Sequence, residues 1–167
     1  MPERVGVGAT DDTGVLIDDF GVQIGRAMGW PPMAGRTAGV LMLSEAPMTM
    51  TQLQRALDAS KGSVSEMTRL LMTNGTVRRY KPSGSRQFVY EWRDDAWIGC
   101  LQHQLDQTGQ LLKLAQRAQD QATGLPDAQR VRLRDMHDYY VFMVQRLESL
   151  VDEYTARWTR GRYAQRR

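Results

Sequence analysis

The chain has 167 residues, of which 41% are hydrophobic and 25% charged, and its net charge is +3. This composition suits one compact domain with helical extensions and excludes a globally disordered chain. No stretch approaches the ~18 apolar residues of a membrane span or the apolar centre of a signal peptide. The single cysteine, Cys100, cannot form an internal disulfide, so we expect a cytoplasmic protein without membrane contact.

The first predicted helix follows a segment without periodicity. Residues 1–12 are expected to form a flexible arm. Apolar residues then repeat at four-residue spacing, as is typical of an amphipathic helix, and the helix should end near Gly29. The repeating residues are Leu16, Phe20, Ile24 and Met28.

A second helix is predicted from about Pro32 to Ser44, before Pro47. Gly35 and Gly39 would allow a close approach of a neighbouring helix. Its buried side should contain Val40, Leu41 and Leu43.

A short helix and a longer one are predicted next. Thr51 and Gln54 have the spacing of a capping box, with Leu53, Ala56 and Leu57 on one face of the helix that they open. Ser60 is expected to cap a second helix over 61–73, which should end at Asn74-Gly75. Its inward residues should be Val64, Met67, Leu70 and Leu71.

The period then changes to two, which predicts strands at Thr76–Tyr80 and Phe88–Trp92. The segment between them, Lys81–Arg86, contains Pro, Gly and Ser and is typical of a turn. Two helices followed by a hairpin are the order of a winged helix-turn-helix.

Two long helices are predicted after the hairpin. The first should span about Asp95 to Gln121, and the second should follow Pro126. Apolar residues of the second alternate at spacings of three and four, which predicts a dimer seam. The seam residues are Leu133, Met136, Tyr140, Met143, Leu147, Leu150 and Tyr154. The tail from Arg157 is basic and expected to fray.

The second helix of a helix-turn-helix places its N-terminal residues on base edges in the major groove. Lys61 can contact a phosphate or a guanine, Ser63 and Ser65 can bond to either, Glu66 can accept from a cytosine amine, and Arg69 suits the DNA backbone. The full set of candidate DNA contacts is Thr51, Ser60, Lys61, Ser63, Ser65, Glu66, Arg69, Lys81, Ser85, Arg86 and Gln87.

Charge supports this interpretation locally, because residues 61–93 contain seven basic and two acidic side chains, a net charge of +5. Arg78 and Arg79 could instead form only the solvated face of an edge strand. Helix-turn-helix shapes also occur in protein-interaction subunits that bind no DNA, and such a subunit is the alternative function. A ligand-binding or structural helical dimer is a further alternative.

The segment GRTAGVLMLSEAPMTMTQLQRALDASKGSVSEMTRLLMTNGTVRRYKPSGSRQFVYEW resembles MarR-family regulators. It is most similar to the branch of GbsR-like proteins and mycobacterial repressors of lipid and drug exporters. SKGSVS and LL…NG.V.R are its more specific parts, and the likeness covers about residues 14–158. The resemblance implies a homodimer that represses by binding a double-stranded DNA operator and is released by a small apolar effector.

The wing departs from the family pattern. Relatives usually have Asp-Arg-Arg or Asp-Lys-Arg after the turn glycine, whereas this chain has Ser85-Arg86-Gln87. The family's minor-groove arginine is thus replaced by Gln87, and the aspartate that supports it by Ser85.

Other chemistry has little support in the sequence. Cys100 lies beside an apolar stripe and is expected to be a core residue rather than a redox switch. His103 and His137 are scattered, so we expect no metal site, and no catalytic or phosphate-loop motif predicts an enzyme or a cofactor. The resemblance implies an effector cavity, for which the candidate lining residues are Phe20, Ile24, Met28, Trp97 and Leu101.

The predicted fold is mainly α with a small β-hairpin wing, a winged helix-turn-helix with long dimerisation helices. The DNA-binding domain should span 31–93, and 13–30 with 94–160 should form the dimerisation region. Residues 161–167 should form a basic tail.

Overall fold

The computed structural model describes residues 8–165 and, among side chains, those of residues 12–162. The described part of the chain is mainly helical with one small antiparallel sheet, which confirms the predicted fold class. Its elements are α1 (Gly8–Met28), α2 (Pro32–Met42), β1 (Met48–Thr49), α3 (Met50–Leu57), α4 (Lys61–Thr73), β2 (Val77–Tyr80), β3 (Val89–Trp92), α5 (Ala96–Asp120), a 3-10 turn (Ala122–Gly124) and α6 (Asp127–Gln165). None of the described helices combines the length and apolarity that crossing a bilayer requires.

The chain divides at Ala96 into two compact units. In the first unit, α1 packs closely against α2, and glycines occupy the contact positions where a larger side chain would not fit. A Cβ placed on Gly35 would lie 2.9 Å from the Cα of Gly21 and against the carbonyl oxygen of Phe20. A Cβ on Gly39 would lie 2.6 Å from Cδ2 of Phe20. The predicted close approach is therefore confirmed.

The helix-turn-helix core forms where α2, α3 and α4 meet the sheet. Val64, Met67 and Leu71 are buried on one face of α4, as predicted. Leu53 and Leu57 of α3 are fully buried beside them. Burying one such side chain contributes roughly 1.5–3 kcal/mol, so this cluster fixes the two helices against each other.

The cap of α3 differs from the prediction. Thr49, rather than Thr51, accepts the hydrogen bond from the backbone N–H of Gln52, at 3.3 Å. The Gln52 side chain accepts in return from the backbone N–H of Thr49, at 2.7 Å. Thr49 is held in an extended conformation because Met48–Thr49 forms β1, a strand that the sequence analysis missed. The helix therefore begins two residues earlier than predicted.

Sheet order is β1-β3-β2, with β3 in the centre and both pairings antiparallel. In the β2–β3 register, Arg78 lies opposite Glu91 and Arg79 opposite Tyr90. The predicted hairpin is thus present, with each strand one residue shorter at its first end.

The second unit contains the rest of α5 and α6, a helix of 39 residues. Ala115 and Ala122 are its most buried apolar residues. Most of the predicted seam of α6 is only half-buried within the single chain, and Leu150 is 45% exposed.

Four further details of the sequence prediction are wrong. Helix α1 already begins at Gly8, so residues 8–12 are helical, whereas residues 1–7 lie outside the described part. Leu43 caps α2 and is exposed, and Ala56 is exposed on α3. The expected frayed tail continues α6 as far as Gln165.

Replacing Gly35 with Ala should lower the free energy of unfolding, because the new methyl group would press on the backbone of α1. Overpacking costs about 1–3 kcal/mol, which exceeds the gain in helix propensity of about 1 kcal/mol. Gly14 of α1 is the matched control, since nothing lies within 4 Å of a Cβ there, and Gly14→Ala should be stabilising. Urea unfolding compares the two variants, and a Gly35→Ala protein as stable as wild type would contradict the packing described.

Candidate nucleic-acid interface

A cleft of about 450 Å³ lies between the start of α3, the first half of α4 and the β2–β3 hairpin. Its lining includes three cations, Lys61, Arg79 and Arg86, and no acidic residue. The lining consists of Thr49, Met50, Thr51, Gln54, Lys61, Ser65, Arg79, Arg86, Gln87, Phe88 and Tyr90. Such a surface concentrates positive potential and attracts anions.

The N-terminal half of α4 carries the predicted polar residues outside its buried face. The Ser60 hydroxyl accepts from the backbone N–H of Ser63 at 3.2 Å, which confirms the predicted cap. Lys61 is exposed and Ser65 half-buried, and both line the cleft. Glu66 and Arg69 are exposed as well but lie outside the cleft lining.

One face of the hairpin carries a neutralised arginine. Arg78 forms an ion pair with Glu91, its partner across the two strands. The hydrogen bond to Glu91, and then its charge, raise the pKa of Arg78 above the usual range. Partial burial, and then a hydrogen bond from its hydroxyl to Glu91 Oε2 at 3.2 Å, raise the pKa of Tyr80. The alternative interpretation of Arg78, as part of the solvated face of an edge strand, therefore fits the structure.

The other face of the hairpin carries Arg79 into the cleft. Its guanidinium carbon lies 3.6 Å from the centroid of the Phe88 ring, and the Lys81 ammonium lies 4.8 Å from the same centroid. Neither Arg79 nor Phe88 was among the predicted contacts. The period of two starting from Val77, which is buried, would have placed Arg79 on the inward side.

The turn of the wing is held by its own hydrogen bonds. Gly84 has a φ of +76°, and the backbone N–H of Ser85 donates to the carbonyl of Pro82 at 3.0 Å. The Ser85 hydroxyl accepts from the N–H of Gln87 at 3.1 Å. Ser85 thus stabilises the turn, while Arg86 and Gln87 line the cleft. Lys81 and Ser85 are exposed outside the lining.

The hairpin connects to α5 through a two-point ion pair. Arg93 donates from Nε and Nη2 to the two carboxylate oxygens of Asp95, both at 2.9 Å. This interaction lowers the pKa of Asp95. Two parallel charge-assisted hydrogen bonds also restrict geometry, so the segment that leaves β3 has a defined direction within the first unit.

The remaining candidate residues lie on α1, α5 and α6. Cys100 is half-buried, and His137 lies 3.4 Å from the carboxylate of its neighbour Asp138. Among the described residues, no group of three potential metal ligands occurs. The proposed effector residues lie on α1 (Phe20, Ile24 and Met28) and on α5 (Trp97 and Leu101), and the cavity stays a prediction.

Comparisons with known proteins agree with the resemblance. Residues 95–157 match the family described as MmpR5-like MarR family transcriptional regulator. HTH-type transcriptional regulator MmpR5 of Mycobacterium tuberculosis is 27% identical over 135 residues, which are 80% of this chain and 76% of that protein. The putative HTH-type transcriptional regulator YvaV of Bacillus subtilis is 30% identical over 70 residues, 42% of this chain but only 40% of that protein.

The fold is similar to that of the crystal structure of a transcriptional regulator. Its TM-score is 0.80 at 23% identity, and the match covers 87% of this chain and 99% of the other. Together with the sequence matches, this confirms the resemblance to MarR-family winged helix-turn-helix regulators.

The observed cap of α3 can be tested separately from the predicted one. Thr49→Ala should lower the free energy of unfolding by about 1 kcal/mol, because the backbone N–H of Gln52 loses its capping partner. Thr51→Ala alters an exposed residue and should change it by less than about 0.5 kcal/mol. Chemical denaturation measures both, and a larger loss for Thr51→Ala would restore the sequence-based assignment.

Proposed function

We propose that this chain is a sequence-specific DNA-binding transcriptional regulator that acts as a homodimer. The observation that carries the proposal is the cleft between α4 and the hairpin, whose lining contains three cations and no acidic residue. Duplex DNA carries a negative charge about every 1.7 Å along its axis, and neutralising phosphates releases counterions. A cleft of this charge on a winged helix-turn-helix suits the DNA backbone better than an uncharged partner.

In this proposal α4 enters the major groove. Lys61 at its start contacts a phosphate, and Ser65 approaches base edges closely because its side chain is short. Ser63 acts from the same turn. Glu66, which is exposed beyond the cleft, accepts from a cytosine amine and disfavours other bases at that position. Arg69 contacts the backbone one turn further on.

The dimer is proposed from α6. Its seam follows the three-four spacing that favours helix pairing, yet the single chain leaves these residues half-buried or exposed. A second copy would remove that apolar surface from water, and twofold symmetry would match two operator half-sites. The grouping of 13–30 with 94–160 as the dimerisation region belongs to this proposal.

Regulation follows the family resemblance: a cytoplasmic, non-enzymatic repressor that leaves its operator when a small apolar effector binds. Gel-shift titration against the DNA upstream of its own gene tests the function. Retardation of that DNA at concentrations where unrelated DNA stays free supports it. Absence of binding to any duplex would favour the alternative, a winged-helix subunit that contacts other proteins.

Lys61→Ala should weaken binding to all DNA sequences to a similar extent, since a phosphate contact carries no base information. The slope of log affinity against log salt should fall by about one per subunit. Fluorescence anisotropy at several salt concentrations measures both quantities.

The matched control is the double variant Arg78→Gln/Glu91→Gln. It removes an arginine from the same domain without changing net charge, and it lies on the other face of the hairpin from Arg79. Its affinity and salt slope should equal those of wild type. Equal losses in the control and in Lys61→Ala would mean that the cleft is not the contact surface.

Leu147→Asp should produce monomers, because it places a carboxylate in the middle of the apolar seam. Sedimentation equilibrium at micromolar concentration measures the mass. Gln145→Asp is the control, since Gln145 is exposed on the same helix but outside the seam, and this variant should remain dimeric. A monomeric wild-type protein would exclude the proposed assembly.

A further inference from the structure

We propose that Phe88 is a positioning residue that holds Arg79 and Lys81 ready for phosphates of the DNA backbone. The strands of the hairpin, rather than its turn, then supply the main anchor of the wing. This inference rests on the proposed function and names the residues by which the wing performs it.

The geometry is that of two cations sharing one aromatic ring. Arg79 lies 3.6 Å and Lys81 4.8 Å from the ring centroid of Phe88, and the ring itself is 40% exposed. A cation on the face of an aromatic ring is attracted by the ring quadrupole. At exposed sites such a contact changes an equilibrium constant by about two- to fivefold. The exposed ring thus has a partner on the cationic side of the hairpin.

The charges of this pair are available to a ligand. Among the described residues, the ion pairs of the hairpin place Glu91 with Arg78, and no carboxylate lies within ion-pair distance of Arg79 or Lys81. Two neighbouring cations repel each other, and the negative face of the ring reduces that cost. A phosphate that approaches the cleft therefore meets two cations that it does not have to separate from a carboxylate.

Preorganisation makes the pair effective. Free arginine and lysine side chains lose much rotamer freedom when a ligand fixes them, and this entropy reduces affinity. Phe88 removes part of that cost for Arg79 before binding. Arg86 has no comparable support, because Ser85 uses its hydroxyl on the backbone of Gln87.

The test separates the electronic role of the ring from its bulk. Phe88→Leu keeps an apolar side chain but removes the ring, and it should weaken binding of an operator duplex by about fivefold or more through two subunits. Phe88→Trp retains the stronger quadrupole and should bind within about twofold of wild type. Pentafluorophenylalanine at position 88 keeps the ring shape without its negative face and should behave as Phe88→Leu.

Salt dependence distinguishes positioning from direct contact. Phe88→Leu should leave the salt slope unchanged, because no phosphate contact is removed, whereas Arg79→Ala should lower it by about one per subunit. In the Arg79→Ala/Lys81→Ala background, Phe88→Leu should have no further effect on affinity.

Wild-type affinity in both Phe88→Leu and the fluorinated protein would overturn the role of Phe88 while leaving the proposed function intact. Failure of the wild-type chain to bind any duplex would instead overturn the proposed function itself, and with it the ligand named here.

Discussion

Val64, Met67 and Leu71 pack with almost no solvent exposure where α4 meets α2, α3 and β2, and this packing sets the rotation of α4 about its own axis. Successive helical residues differ in direction by about 100°, so burying these three leaves Lys61 and Ser65 to face the cleft. The polar surface of the helix is therefore a consequence of its apolar one. Any change that rotates α4 would lose both together.

The hairpin also separates inward from outward side chains, here with a period of two residues. On its inward face Val77 and Tyr90 are buried in the core. Arg79 lies on the same face, opposite Tyr90. On the outward face Arg78 forms an ion pair with Glu91. Arg78 and Arg79 are adjacent in sequence, but only Arg79 lines the cleft. Positive charge is thus concentrated on one side of a domain whose whole chain has a net charge of only +3.

The strongest periodic signals were sufficient to predict much of this domain from its sequence. The bounds of α4, its buried face and its Ser60 cap follow from local patterns, because each depends on neighbours within one turn. The cap of α3 does not, since Thr49-x-x-Gln52 and Thr51-x-x-Gln54 both fit a capping box. Pairing of β1 with β3 decides between them, and that contact joins distant residues. The stacking on Phe88 likewise depends on strand register, which no local pattern specifies.

The two-residue length of β1 has a consequence for colloidal behaviour. Sheet edges with unpaired backbone groups recruit further strands, which leads to aggregation. Here one edge is only Met48–Thr49, and the other, β2, carries Arg78 and Arg79 side by side. A foreign strand would find only two residues to pair with on the first edge and charged side chains on the second. The sheet is protected against growing into a fibre by its own brevity and charge.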